Sequence, residues 1–275
     1  METHSILGTQ ALPTPKPIED ITLVPCVARI LVLSDGQLHF FTLPELNILP
    51  IPPIRNVQAV IVDQQALSRP FLHSPIHTVE AVEFCVIKKT GLGLFSLREK
   101  LVFYKDFPLA GCRPGARRTG PLLFVADKGN FNLLDLKRGT LLPVMPLSHA
   151  GVVPAKPIIT VIGSNEFLIV SNVDDRGLAV FISGSGDPVR GTFEYSKYPV
   201  SVSYDDPYLV ALMPDQSLEI RDIETQSVKQ VVPAPEPSSE HPNGPRRGFS
   251  WNPQGHMVPS TQLKDVLQLV PVPLI

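Results

Sequence analysis

Proline occupies 30 of the 275 positions, about 11% and roughly twice ordinary usage. A helix interior loses a hydrogen bond and gains a steric clash at each proline, so a chain this rich in them is not mostly helical. The apolar content, 43%, is enough to build a sizeable core, which excludes wholesale disorder. Charged residues make up only 18%, below the roughly 25% of an ordinary soluble domain. A turn-rich, all-β chain satisfies these constraints together.

Short β-like runs recur between turn residues, in agreement with that reading. Arg29 to Ser34 and Gln37 to Thr42 flank Asp35-Gly36, a pair suited to the positive φ of a two-residue hairpin turn. Val79 to Lys88, Leu92 to Leu97 and Lys100 to Phe107 read as a three-stranded meander. Leu122 to Ala126 and Phe131 to Leu136 flank the turn Asp127-Lys128-Gly129-Asn130. Four further runs lie at Ile158 to Ile162, Phe167 to Ser171, Gly177 to Ile182 and Arg190 to Tyr195. Four more follow at Ser201 to Tyr204, Tyr208 to Met213, Ser217 to Arg221 and Ser227 to Val232. Successive blocks of four strands predict the blades of a β-propeller, and about 17 strands exceed one immunoglobulin-like sandwich. Working backward, the earlier blades are expected at residues 21–62, 79–107 and 121–147, with 63–78 as a loop between blades. Residues 1–20 read as a flexible Pro-rich leader, 21–232 as the propeller, 233–260 as a disordered Pro-rich insertion, and 261–275 as a terminal strand returning to the propeller.

Charge and targeting signals narrow the function. Lys and Arg number 24 against 26 Asp and Glu, a net charge of −2 with a pI near 6.4. A general basic footprint for nucleic acid is therefore absent. Met1 to Asp20 has no cation ahead of Ile6-Leu7 and no continuous apolar stretch, so it does not read as a secretory leader. No run approaches the roughly 18 apolar residues of a membrane span. Cys26, Cys85 and Cys112 stand far apart, with Cys85 inside an apolar run, and a cytoplasmic, reducing setting is expected.

The residues supply no catalytic set, no cofactor site and no metal site. Gly115-Ala-Arg-Arg-Thr-Gly120 has the glycine spacing of a phosphate loop, but Pro121 stands where the lysine is needed, so it reads as a basic inter-strand loop. Gly91-Leu-Gly93 lacks the third glycine and the helix of a dinucleotide site. His73 and His77 are separated by Pro75, which breaks the helix that would align them as ligands. Asp174-Asp175 and Asp205-Asp206 fall at turns, where aspartate serves the backbone. Ser183 and Ser185 do not form a nucleophile elbow.

Phe167-Leu-Ile-Val-Ser171, Gly177-Leu-Ala-Val-Phe181 and Gly186-Asp-Pro-Val-Arg-Gly-Thr192 resemble the citron-homology domain. The resemblance is closest to its version in fungal vacuolar protein-sorting subunits of the CORVET and HOPS tethering complexes, of the type related to TGF-beta receptor-associated protein. It continues through Tyr198-Pro199, Pro207-Tyr-Leu-Val-Ala-Leu212, Leu218-Glu-Ile-Arg221 and Ile223-Glu-Thr-Gln226. Leu31 to Gly36, Ala126 to Lys128 and Leu133 to Leu136 fit the same family. The family residues singled out are Gly177, Gly186, Asp187, Pro188, Arg190, Gly191, Pro199, Pro207 and Tyr208. Tight turns and close backbone approach give Gly177 and Gly191 structural roles, and Arg190 is expected to pair with Asp187 or a neighbouring blade, with an interaction role as the alternative.

The resemblance implies a non-enzymatic interaction module in vesicle-mediated transport to the vacuole. Its implied partners are fellow tether subunits and Rab-type small GTPases, with peripheral association to endosomal or vacuolar membranes through them. It also implies further strands ahead of Ile21 and an α-solenoid downstream. The chain is accordingly expected to be a fragment or truncated gene model, an incomplete propeller of about five blades or blade fragments. Two alternatives are a citron-homology domain of Rho-pathway signalling proteins and a propeller hydrolase with acids and histidines gathered in its channel. The seven histidines do not recur at equivalent blade positions, which argues against the second.

Overall fold

The computed structural model describes residues 9–13, 15–70, 75–149, 156–234, 250–252, 255–259 and 266–269. The chain divides into two compact units, Met1–Met145 and Pro146–Ile275. Five four-stranded antiparallel sheets and one three-stranded sheet account for nearly all regular structure among the described residues. Each four-stranded sheet is a blade of a β-propeller, its strands neighbours in sequence order.

The first unit holds three blades. Blade one is β1 (Ile18–Val24), β2 (Arg29–Ser34), β3 (Gln37–Thr42) and β4 (Ile54–Arg55). Blade two is β5 (Val57–Val62), β6 (Val82–Lys88), β7 (Gly91–Leu97) and β8 (Leu101–Phe107), with one helical turn, α1 (Gln64–Leu67), between its first two strands. Blade three is β9 (Arg117–Thr119), β10 (Leu122–Ala126), β11 (Asn130–Asp135) and β12 (Thr140–Pro146). The second unit holds blade four, β13 (Ile158–Gly163), β14 (Glu166–Val173), β15 (Arg176–Ser183) and β16 (Phe193–Tyr195). Blade five is β17 (Ser201–Asp205), β18 (Tyr208–Leu212), β19 (Leu218–Asp222) and β20 (Val228–Val232). The three-stranded sheet is β21 (Ser250–Asn252), β22 (Gly255–Pro259) and β23 (Val266–Leu269).

The second strand of each blade, such as β6, β10 and β18, is largely apolar because both of its faces are covered. In β6, Val82, Phe84 and Val86 join the cluster shared with blade one, while Cys85 and Ile87 join the cluster shared with blade three. The two-residue period of a strand thus divides one apolar run between two cores. In β14 and β18, Leu168, Val170, Leu209 and Ala211 meet in the core between blades four and five. Rings extend this packing: Phe84 stacks on Phe95 with centroids 5.6 Å apart, and Phe193 meets Tyr195 edge-on at 5.2 Å. Cys26, Cys85 and Cys112 are buried free thiols, and desolvation pushes Cys85 up to about 11. No helix among the described residues is long and apolar enough to cross a membrane.

Several expected boundaries are corrected. Residues 57–62 open blade two rather than close blade one, so 63–78 runs within a blade and not between blades. The leader expected up to Asp20 ends earlier. β1 begins at Ile18, whose backbone pairs with Ser34, and the Ser34 hydroxyl donates to the Pro17 carbonyl at 2.9 Å. The basic loop expected at Gly115–Gly120 contains β9, because Arg117 to Thr119 pair with Leu122 to Phe124. Arg190 to Thr192 precede the short strand β16 instead of forming its start. Within the expected disordered insertion, β21 and β22 are strands, since Ser250–Asn252 and Gly255–Pro259 pair in register with each other. Residues 235–249 and 270–275, and with them most of that insertion and the end of the expected terminal strand, lie outside the described residues.

Tyr195 is completely buried, and its hydroxyl has no hydrogen-bond partner among the described residues. Burial raises its pKa, so the hydroxyl stays protonated. A buried hydroxyl without a partner costs about 1–3 kcal/mol of desolvation. Tyr195→Phe keeps the ring contact with Phe193 and removes that cost. The variant is expected to be more stable by about 1 kcal/mol, a gain of roughly 3 °C in Tm by calorimetry.

Candidate interaction surface

The antiparallel order of blades four and five sorts their turns onto two ends. At one end lie the β13–β14 turn, the β15–β16 connection, the β17–β18 turn and the β19–β20 turn. Seven of the nine family residues gather there: Gly186, Asp187, Pro188, Arg190, Gly191, Pro207 and Tyr208. Gly177 and Pro199 lie at the opposite end, beside the β14–β15 turn that contains Asp174 and Asp175.

Arg190 organises the first end. Its Nε donates to Glu166 Oε1 at 2.5 Å and its Nη2 to Glu166 Oε2 at 3.2 Å, a two-pronged contact within blade four. Its Nη1 donates to Glu224 Oε1 at 2.6 Å, reaching the β19–β20 turn of blade five. The guanidinium centre lies 5.6 Å from the Phe181 ring. Its hydrogen bonds to the two glutamates hold the Arg190 pKa above its usual value. Asp187, the other partner read for Arg190, instead accepts from the Ser185 hydroxyl at 2.8 Å, and Ser185 and Ser183 share a 2.7 Å contact. These hydrogen bonds fix the turn Ser183–Asp187, in which Gly186 takes φ +91°.

A second tie lies beside the first. The Gln226 side-chain amide donates to the Gly191 carbonyl at 2.7 Å, again joining blade five to blade four. Arg221 donates from Nε to Glu219 at 2.6 Å and from Nη1 to the Gln226 carbonyl at 2.9 Å, with its guanidinium 4.7 Å from the Phe193 ring. Pro207 receives the Ile223 amide on its carbonyl at 2.9 Å, and Tyr208 pairs with Asp222 in the ladder. Tyr204 donates to Asp206 at 2.6 Å; burial and that carboxylate raise its pKa. The outcome is a braced polar frame around an exposed tip, Asp187-Pro188-Val189. Val189 is 49% exposed while its backbone amide is held by the Phe181 carbonyl. The frame holds this apolar tip in place between charged groups.

Gly177 and Pro199 are structural. A Cβ on Gly177 would lie 2.9 Å from Pro199 Cδ, 2.9 Å from Val170 Cγ1 and 3.3 Å from Tyr195 Cδ2, so only glycine fits. Sequence reading missed Glu166 and Glu224 as Arg190's partners, because they stand 24 and 34 residues away with no local spacing signal. Elsewhere, a cleft of about 330 Å³ in the first unit is lined by Asp63, Arg69, Glu83 and Arg118 among others. Its buried cation, Arg118, already donates to Glu83 at 2.6 Å and to the Gly120 carbonyl at 2.8 Å. Among the described residues no group of His, Cys, Asp and Glu is placed to hold a metal ion; His73 lies outside them.

Arg190→Lys replaces a fork that spans two glutamates with a point charge that can face one of them. The expected loss is about 1 kcal/mol, since both ion pairs are partly solvated, or roughly 3 °C in Tm. The difference from wild type should shrink in ~0.5 M salt, where such pairs are screened.

Comparison with known proteins bears out the resemblance read in the sequence. A family described as the VPS3 N-terminal domain matches residues 11–234. Vacuolar protein sorting-associated protein 3 of Saccharomyces cerevisiae is 25% identical over 213 residues, covering 74% of this chain and 20% of the yeast protein. The protein of the same name in Schizosaccharomyces pombe is 26% identical over 167 residues, covering 59% of this chain and 18% of its own length. The chain therefore spans about a fifth of the length of these curated relatives. Among solved structures, the AfRom2 CNH domain superposes with a TM-score of 0.59 at 16% identity, over 88% of this chain and 75% of that one. Kluyveromyces lactis Hsv2 superposes with a TM-score of 0.58 at 9% identity, over 88% and 71%. At these identities the likeness to solved structures concerns the fold alone, a β-propeller.

Proposed function

The chain belongs to the VPS3 N-terminal domain family, and from that premise we propose that it is a non-enzymatic interaction module of a vacuolar protein-sorting tether. In this reading it engages fellow tether subunits and a Rab-type small GTPase, and through them sits on the cytoplasmic side of endosomal or vacuolar membranes. The observation that carries the reading is the position of the family run Gly186–Thr192. Its residues form a braced, solvent-facing tip tied across two blades by Arg190–Glu224 and Gly191–Gln226. An interface of this kind uses a small apolar centre, here Pro188 and Val189, ringed by charged groups that set orientation and partner choice. Rigid bracing lowers the ordering cost of association, because the tip needs no rearrangement to dock. Gly177 and Pro199 belong to the scaffold behind this end.

Calorimetric titration of Rab-type GTPases into the purified chain tests the reading. Binding should favour the GTP-analogue form at least tenfold over the GDP form, and Val189→Asp should abolish it while leaving Tm unchanged. Equal heats for both nucleotide forms, or unchanged binding by Val189→Asp, would contradict it.

A further inference from the structure

We infer that the outer edge of blade two, strand β8, is a second docking surface, one that accepts an extended acidic and apolar segment of a partner protein as a fifth strand. Outer strands expose unpaired backbone groups, and natural sheets blunt them with proline, charge or shortness. Four of the five outer strands here follow that rule. β4 has two residues, β16 has three, β12 contains Pro143 and Pro146, and β20 interrupts its valines with Lys229 and Gln230. β8 departs from it. It runs seven residues without proline, pairs among the described residues only with β7, and has five consecutive exposed positions.

Three of those exposed positions are large and apolar: Val102 is 47% exposed, Phe103 51% and Tyr104 55%. They are not loose. The Phe103 ring meets Phe95 edge-on at 5.4 Å, and Phe95 stacks in turn on Phe84 in the core. The pairing with β7 shifts between Leu94 and Phe95, which leaves Tyr104 as an extra residue in β8. That bulge reverses the alternation: Leu101 and Phe103 lie opposite Leu97 and Phe95, while Lys105 and Phe107 lie opposite Leu94 and Leu92. Apolar side chains are therefore presented on both sides of the edge, as an added strand with alternating side chains requires.

Charge identifies the kind of segment. Residues 88–107 carry five cations, Lys88, Lys89, Arg98, Lys100 and Lys105, against two anions, Glu99 and Asp106, in a chain whose net charge is −2. Within β8 Lys105 and Asp106 offset each other, but Arg98 and Lys100 precede the strand and Lys88 and Lys89 adjoin its far end through the β6–β7 turn, so a strand laid along the edge meets positive charge at each end. An extended segment mixing β-branched residues with Asp or Glu complements both features. This surface lies in the first unit and does not depend on the Arg190 end of the second.

Panning a random heptapeptide library on the full chain tests the assignment. Enriched peptides should alternate apolar residues with Asp or Glu. Their binding should be lost on central proline substitution and fall at least tenfold with the exposed double change Val102→Glu/Tyr104→Glu, at unchanged Tm. Slowed amide exchange confined to β8 should accompany binding. No enrichment, or peptides that bind the double variant equally well, overturns the proposal. So does capture of phosphatidylserine vesicles through the same residues while peptides do not bind, which would make the edge a membrane contact.

Discussion

Phe181→Ala should destabilise the second unit by about 4 kcal/mol, the middle of the range for removing a fully buried phenylalanine. Phe181 has no exposed surface and lies in the core formed by β14, β15, β16 and β18. Its ring lies 6.2 Å from Phe193 and supports the Arg190 guanidinium from below at 5.6 Å. Truncation leaves a cavity that the flanking strands cannot close, since their positions are fixed by eight paired residues between β14 and β15. The transition of that unit should fall by 10 °C or more. Partner binding should weaken in parallel, because Arg190 loses the ring on which its frame rests. Differential scanning calorimetry of the variant reads the first effect directly.

Gly177→Val should cost about 3 kcal/mol through overpacking. The first added carbon already falls at 2.9 Å from both Pro199 Cδ and Val170 Cγ1. Neither neighbour can give way. Pro199 is held in its ring geometry in the β16–β17 connection, and Val170 is fully buried in a central strand. Gly177→Ala should show a smaller loss in the same direction, and a graded pair of denaturant midpoints identifies steric crowding as the cause. Equal midpoints for wild type and the valine variant would remove the structural role assigned to this glycine.

Legibility in the sequence followed the physics of each element. Central strands such as Phe84 to Ile87 and Phe167 to Val170 were legible because two covered faces demand an unbroken apolar run. The Asp35-Gly36 hairpin was legible because its two positive φ values, 51° and 66°, need residues that tolerate them. β9 was not, because its Arg-Arg-Thr sequence shows no apolar alternation. Arg118 is buried there by virtue of Glu83, 35 residues distant, which no local pattern reveals. β5 was assigned to the wrong blade because a strand's partner is set by tertiary pairing across the long connection to β6. At the candidate surface the family run was visible as a motif, but its bracing by Glu166 and Glu224 came only from the juxtaposition of two blades.

We propose above all that this chain is a partner-binding module of a vacuolar sorting tether that works through the Arg190 end. Quantitative mass spectrometry of proteins retained from its source cells by the immobilised wild-type chain and by Val189→Asp tests it most directly. Tether subunits and a Rab-type GTPase should be enriched severalfold on the wild type and lost on the variant. Equal recovery on both, or the absence of tether subunits from the wild-type set, would contradict it.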